Sequence, residues 1–136
     1  MSEIALLKPG LYRPEGTAGR PDHPALLGGE CACGYVFFPL QTYGCEKCGR
    51  SDPHSKALAG AGTLLASARV HLHPGKGREA PFTVGAIRLE DGPVVRTLLD
   101  GDIERLRPGQ AMTTKLVRVT DAEGGVRLDL RFTPEA

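Results

Sequence analysis

Tryptophan is absent from this 136-residue chain, methionine occurs twice, and aromatic residues make up only 5%. A core built mainly of large rings is therefore excluded, and smaller aliphatic side chains must fill it. Long apolar runs are also missing: none approaches the ~20 residues of a helical membrane span. The N-terminus, MSEIALLKPG, has no basic start, no apolar core of sufficient length and no small-residue cleavage site, which predicts a cytoplasmic chain without a secretory signal. An excess of charge of one sign is lacking as well. Seventeen Lys+Arg against 16 Asp+Glu leave +1, so composition offers no basic footprint for nucleic acid. No nucleophile elbow, paired-carboxylate motif, Ser/His/Asp order or phosphate loop is visible, so the chain shows no catalytic constellation of its own.

Glycine and proline are abundant, at 18 and 11 residues, a balance that suits short strands joined by tight turns. The chain divides into an N-terminal arm (1–28), a small cysteine-bearing segment (29–55) and a strand-rich segment (56–136). The arm carries Pro9, Pro14, Pro21 and Pro24 with Gly10, Gly16, Gly19 and Gly28, which argues against a long regular element. At most, Ser2 caps one helical turn through Leu7.

Residues 29–55 hold all four cysteines, as Cys31-x-Cys33 and Cys45-x-x-Cys48, each pair followed by a glycine, Gly34 or Gly49. Thiolates so spaced on a tight turn can share one tetrahedral metal, and the following glycine lets the chain curl so that amide N–H groups face sulfur. Two such knuckles make a zinc ribbon. Disulfides are the rival use, but a cytosolic chain is kept reduced, and no strand–helix pattern surrounds Cys45 and Cys48 to suggest a redox pair. Four thiolates leave no open position for water, so the expected zinc is structural. Four of the seven aromatics, Tyr35, Phe37, Phe38 and Tyr43, cluster between the cysteine pairs. A ribbon this small cannot bury them all, which points to an interface as well as to internal packing.

Residues 56–136 read as five strands: Gly62–His73, Phe82–Glu90, Val94–Asp100, Gln110–Thr120 and a last one after Gly124-Gly125. In the last strand Val126, Leu128, Leu130 and Phe132 share one face, and Arg127, Asp129 and Arg131 the other. A helical turn capped by Asp102 and stopped by Pro108-Gly109 separates the third and fourth strands. This order predicts a mainly β chain ending in a five-stranded OB-type barrel, with Gly85 marking the bulge or bend that closure needs.

The runs Leu27-Gly-Gly-Glu-Cys-Ala-Cys-Gly-Tyr-Val-Phe-Phe-Pro39, Gly44-Cys-Glu-Lys-Cys-Gly49 and Leu58-Ala-Gly-Ala-Gly-Thr63 resemble the zinc-ribbon plus OB-fold proteins of the domain of unknown function thirty-five family. Val84-Gly-Ala-Ile-Arg-Leu-Glu-Asp-Gly-Pro93 and Leu106-Arg-Pro-Gly109 extend the resemblance, which spans about residues 26–133. That family's first knuckle is usually Cys-x-x-Cys-Gly; here it is one residue shorter, with Glu30 where the first family cysteine falls. The resemblance implies zinc on Cys31, Cys33, Cys45 and Cys48. It also implies a non-catalytic accessory subunit that docks on a thiolase-like acyl-CoA enzyme of thiolase or aldolase type, with two copies of each chain. Alternative partners or roles are a MaoC-like enoyl-CoA hydratase and single-stranded nucleic-acid binding, the latter weakened by near-balanced charge. Tyr35, Phe37 and Phe38 are the candidate partner interface. In RVHLHPGKGR (69–78), Lys76 and Arg78 are candidate contacts for coenzyme A phosphates, against the plainer reading of a charged loop. His71 and His73 share a strand face, with no further ligands nearby for a second metal.

Overall fold

The computed structural model describes residues 4–41, 44–49, 53–70, 82–101 and 103–135. Along the described residues run β1 (Tyr12–Arg13), β2 (Ala25–Glu30), β3 (Val36–Phe37), β4 (His54–Leu58), β5 (Ala61–Val70), β6 (Phe82–Leu89), β7 (Val94–Leu99), a 3-10 turn (Ile103–Arg105), β8 (Ala111–Thr120) and β9 (Val126–Pro134). The last five strands close into a barrel in the order β5-β6-β7-β9-β8, with β8 returning to β5. The barrel pairs are antiparallel except β7–β9, which is parallel. The fold is mainly β, and the five expected barrel strands are all present.

Alternation builds the barrel interior. Thr83, Gly85, Ile87 and Leu89 of β6 point inward, and the intervening residues point out. Leu64, Ile87, Leu89, Met112 and Phe132 are essentially without solvent contact and form the centre. The turn expected between the third and fourth strands is the 3-10 turn. It places Leu106 in the core, and the following Gly109 N–H donates to Leu64 O at 2.7 Å.

The barrel bends at a different place from the one expected. Gly85 sits in regular register between Ser67 and Thr97, whereas the register slips between Leu64 and Ala66, leaving Leu65 as the extra, exposed residue of a bulge. Gly85 is required for closeness: a Cβ there would lie 2.6 Å from Leu99 Cδ1.

A second, four-stranded sheet packs on the barrel. Antiparallel β4 runs along one edge of β2, from Leu26↔Leu58 to Glu30↔His54, while β1 and β3 take successive stretches of the opposite edge. Tyr12, Leu26 and Leu58 join the barrel side chains in one apolar cluster. The arm is thus folded against its own barrel. The helical turn expected at residues 2–7 does not form across the described part. Instead Leu7 N–H donates to Leu128 O at 2.8 Å and Leu128 N–H to Ala5 O at 2.9 Å, around a parallel bridge between Leu6 and Leu128. A single turn ahead of Pro9 is too short to pay for its own nucleation, and the edge of β9 supplies ready backbone partners.

Polar links hold the arm further along. The buried Thr114 hydroxyl donates to Pro24 O at 2.6 Å. Arg20 forms ion pairs with Glu90 at 3.0 Å and Glu135 at 2.9 Å. Asp129, assigned by alternation to the outer face of β9, is buried beneath the arm and accepts from the Tyr12 hydroxyl at 3.1 Å. Burial, with the nearby Asp129 carboxylate adding to it, pushes the Tyr12 hydroxyl up to about 12.

Candidate metal centre and the aromatic face beside it

The two knuckles are delivered by different means. Cys31 directly follows β2, whose ladder with β4 fixes its position, and its N–H donates to Tyr35 O at 2.9 Å. Gly34 then turns the chain with φ 95° and donates to Cys31 O at 2.8 Å. In the second knuckle Gly49, with φ 79°, donates to Cys45 O at 2.9 Å. Space around both glycines is open, so it is the left-handed backbone, not crowding, that requires them.

These turns bring all four sulfurs within 4.8 Å of one another. Cys31 Sγ lies 3.4 Å from Cys48 Sγ, and Cys33 Sγ 3.7 Å from Cys45 Sγ. Thiolates ~2.3 Å from a tetrahedral zinc stand roughly 3.8 Å apart, so the spacing suits such an ion. The shortened first knuckle therefore still brings Cys31 into the cluster. Four cysteines close together can bind a metal ion.

Burial divides the ligand set. Cys31 and Cys45 are buried, and Cys33 and Cys48 are exposed. The Cys33 backbone N–H favours a thiolate at Cys31, but burial and the sulfur contacts with Cys48, Cys33 and Cys45 prevail, pushing that thiol up to about 12. Burial opposes charge at Cys45 too. There the backbone N–H groups of Cys48 and Lys47, with sulfur contacts from Cys31 and Cys48, prevail and bring the thiol down to about 6.

The three candidate interface aromatics have different surroundings. Phe37 is buried in β3 opposite Gly29, where a Cβ would stand 2.5 Å from the ring, so it packs inside the chain. Tyr35 is half-buried and stacks on Phe37 with centroids 5.9 Å apart. Its hydroxyl donates to Glu46 Oε2 at 3.4 Å. Half-buried Phe38 packs against the apolar cluster shared with Tyr12 and Leu26. Tyr35 and Phe38 border a cleft of about 520 Å³ with Glu46, Lys47 and the turn Asp91–Val94. Val94, 49% exposed, adds apolar surface to this cleft.

Tyr43, His71, His73, Lys76, Arg78 and Asp102 lie outside the described residues. The sequence reading missed Tyr12 and Asp129, which pair across 117 positions. A lone tyrosine within a Gly/Pro-rich arm was the one local sign that this segment had something to pack against. No helix among the described residues is long and apolar enough to cross a membrane.

Comparison with known proteins agrees with this architecture. The sequence model of the family described as ChsH2, C-terminal OB-fold domain, matches residues 55–133. The chain is similar in fold to a solved structure described as Ltp2-ChsH2(DUF35) aldolase, at 23% identity over 81% of this chain and 84% of that one, with a TM-score of 0.62. It is also similar to the crystal structure of a DUF35-family protein of unknown function from Sulfolobus solfataricus, at 16% identity over 78% of this chain and 75% of that one, with a TM-score of 0.49.

Proposed function

The chain belongs to the family of the ChsH2 C-terminal OB-fold domain, and on that premise we propose that it is a non-catalytic accessory subunit of a thiolase-like acyl-CoA enzyme, of thiolase or aldolase type. The observation that carries this reading is the family match across the whole barrel. The fold likeness to a chain described together with an aldolase supports the choice of partner class. In this reading the chain supports the folding, activity or acyl-CoA binding of its partner, with two copies of each chain in the assembly.

The labour divides among three segments, 1–28 as arm, 29–55 as ribbon and 56–136 as barrel. Zinc on Cys31, Cys33, Cys45 and Cys48 would cross-link the two knuckles and stiffen the ribbon, a role that suits an all-sulfur donor set. Tyr35 and Phe38 would then meet the partner from a firm base with little ordering penalty, and Phe37 would brace them from below. Lys76 and Arg78 are assigned to coenzyme A phosphates. The four free thiols suit the cytoplasm, where thiols stay reduced. Binding of single-stranded nucleic acid draws less support. The outward residues of β6 and β7 offer aliphatic groups and Arg88 and Arg96, with Phe82 the one ring on which a base could stack.

The test is co-expression with a neighbouring thiolase-like gene. The partner should co-purify, and Tyr35→Ala with Phe38→Ala should weaken retention while zinc content stays at one per chain. A thiolase-like enzyme that ignores this chain, with a MaoC-like hydratase retained instead, would replace the partner class.

A further inference from the structure

The barrel is only partly zipped between β7 and β9. These strands share a single register pair, Leu99↔Phe132, beside which Asp100 N–H donates to Phe132 O at 2.8 Å. Away from that pair the strands part. Ala5–Leu7 of the arm takes up the β9 side of the opening, through the parallel bridge to Leu128. Among the described residues no strand takes up the β7 side.

The hydrogen-bond phase of β7 tells which backbone groups face this seam. Leu89 N–H donates to Pro93 O at 2.9 Å, which makes those two residues a bonded pair at the mouth of the β6–β7 hairpin. Bonded and non-bonded pairs alternate along an antiparallel ladder. Ile87↔Val95, Gly85↔Thr97 and Thr83↔Leu99 are therefore the bonded pairs. Arg96 directs its N–H and C=O, and Leu98 its N–H, the other way, into the seam, whereas Leu98 O already accepts from the Thr97 hydroxyl at 3.4 Å. Asp100, two residues on, has the same phase, and its N–H reaches β9.

This edge forms one wall of a groove of about 390 Å³. Val95 to Leu98 line it on the β7 side, and Leu11, Tyr12, Leu26 and Phe38 supply the apolar opposite wall. Lys8 and Arg96 also line it, and neither is paired with an acid among the described residues. Asp129, the one acid there, is already engaged by Tyr12 and Arg131.

We propose that the β7 seam is a strand-addition site for an extended segment of a second polypeptide, apolar at alternate positions and carrying a carboxylate. The Arg96 N–H and C=O, with the Leu98 N–H two residues on, match an extended main chain, which an acyl chain cannot answer. Alternate side chains of the added strand would enter the apolar groove. Lys8 and Arg96 would meet its carboxylate. The inference rests on the accessory-subunit reading only for the supplier of the segment, the partner enzyme.

The test uses display-library peptides of about twelve residues, selected against the full zinc-loaded chain. Their affinity is then compared for wild type, Arg96→Ala and Arg96→Pro. Alanine removes the cation alone. Proline also removes an N–H that faces away from β6, so the β6 ladder keeps its bonds. Strand addition predicts selected peptides with alternating apolar residues and an acid, weakened about threefold by Arg96→Ala and about tenfold or more by Arg96→Pro. Thermal unfolding of each variant separates lost binding from lost folding. Leu11→Glu, which leaves the β7 backbone intact, should likewise abolish binding. Failure to select any peptide, or equal weakening by alanine and proline, overturns the proposal. So does tight binding of a single-stranded oligonucleotide pool that both Arg96 variants reduce equally. These experiments need no partner enzyme, so their failure is distinct from failure of co-purification.

Discussion

The barrel and the ribbon sheet solve the same problem, holding short strands together, with opposite resources. The barrel closes on itself around Leu64, Ile87, Leu89, Met112 and Phe132, side chains withdrawn almost completely from water. The ribbon has two residues in β3, one buried ring and two exposed cysteines. A segment that small cannot bury enough apolar surface to balance its own ordering, whereas a metal-linked hairpin needs little core. The lesson is one of different resources: burial maintains the barrel, the ribbon offers four clustered sulfurs that can hold a metal ion, and β2 and β4 couple the two.

The largest way to break this division is to remove a buried ligand. Cys45→Ser should abolish zinc binding, where a structural site contributes on the order of 10 kcal/mol. Amide exchange should then show β3 and both knuckles unprotected while β6 and β8 stay protected. The reciprocal cut is Phe132→Ala at the barrel centre. It should lower stability by about 3–5 kcal/mol in denaturant unfolding, with zinc content unchanged in the folded fraction.

A subtler cut separates the arm from both. Tyr12→Phe removes the hydroxyl shared with Asp129, Leu128 O and the Lys8 N–H and should cost about 1–2 kcal/mol. Its pH dependence has a definite sign. The folded chain holds the Tyr12 proton up to about 12, against an ordinary value of 10, so the stabilisation is complete below pH 10 and is lost as pH rises towards 12. Wild type should therefore lose stability faster than Tyr12→Phe across that interval in pH-dependent unfolding. The smallest effect belongs to Glu90→Gln, which breaks an exposed ion pair with Arg20 and should change stability by less than about 1 kcal/mol.

The same contrast explains what could be read in advance. Barrel strands were legible because alternation is a local pattern, as in Thr83–Leu89, and the cysteine cluster was legible because Cys-Gly spacing is a local constraint on a turn. The family resemblance joined both into one architecture. The arm was not legible. Its order comes from Leu6 meeting Leu128 and Tyr12 meeting Asp129, and nothing near either residue announces a contact more than a hundred positions away. Asp129 shows the limit of the alternation rule: the outer face of a strand becomes interior when another segment covers it. Gly85 and Leu65 show another. A glycine inside a strand marks either a bulge or a close approach, and only the register distinguishes them.

Acyl-CoA turnover by a thiolase-like partner, purified with and without this chain and compared with this chain alone, tests the central claim most directly. The account predicts no turnover by this chain alone and a rise of about tenfold or more when the partner carries it, a barrier change within reach of improved positioning. Turnover by the isolated, contaminant-free chain, or a partner equally active without it, would contradict the account.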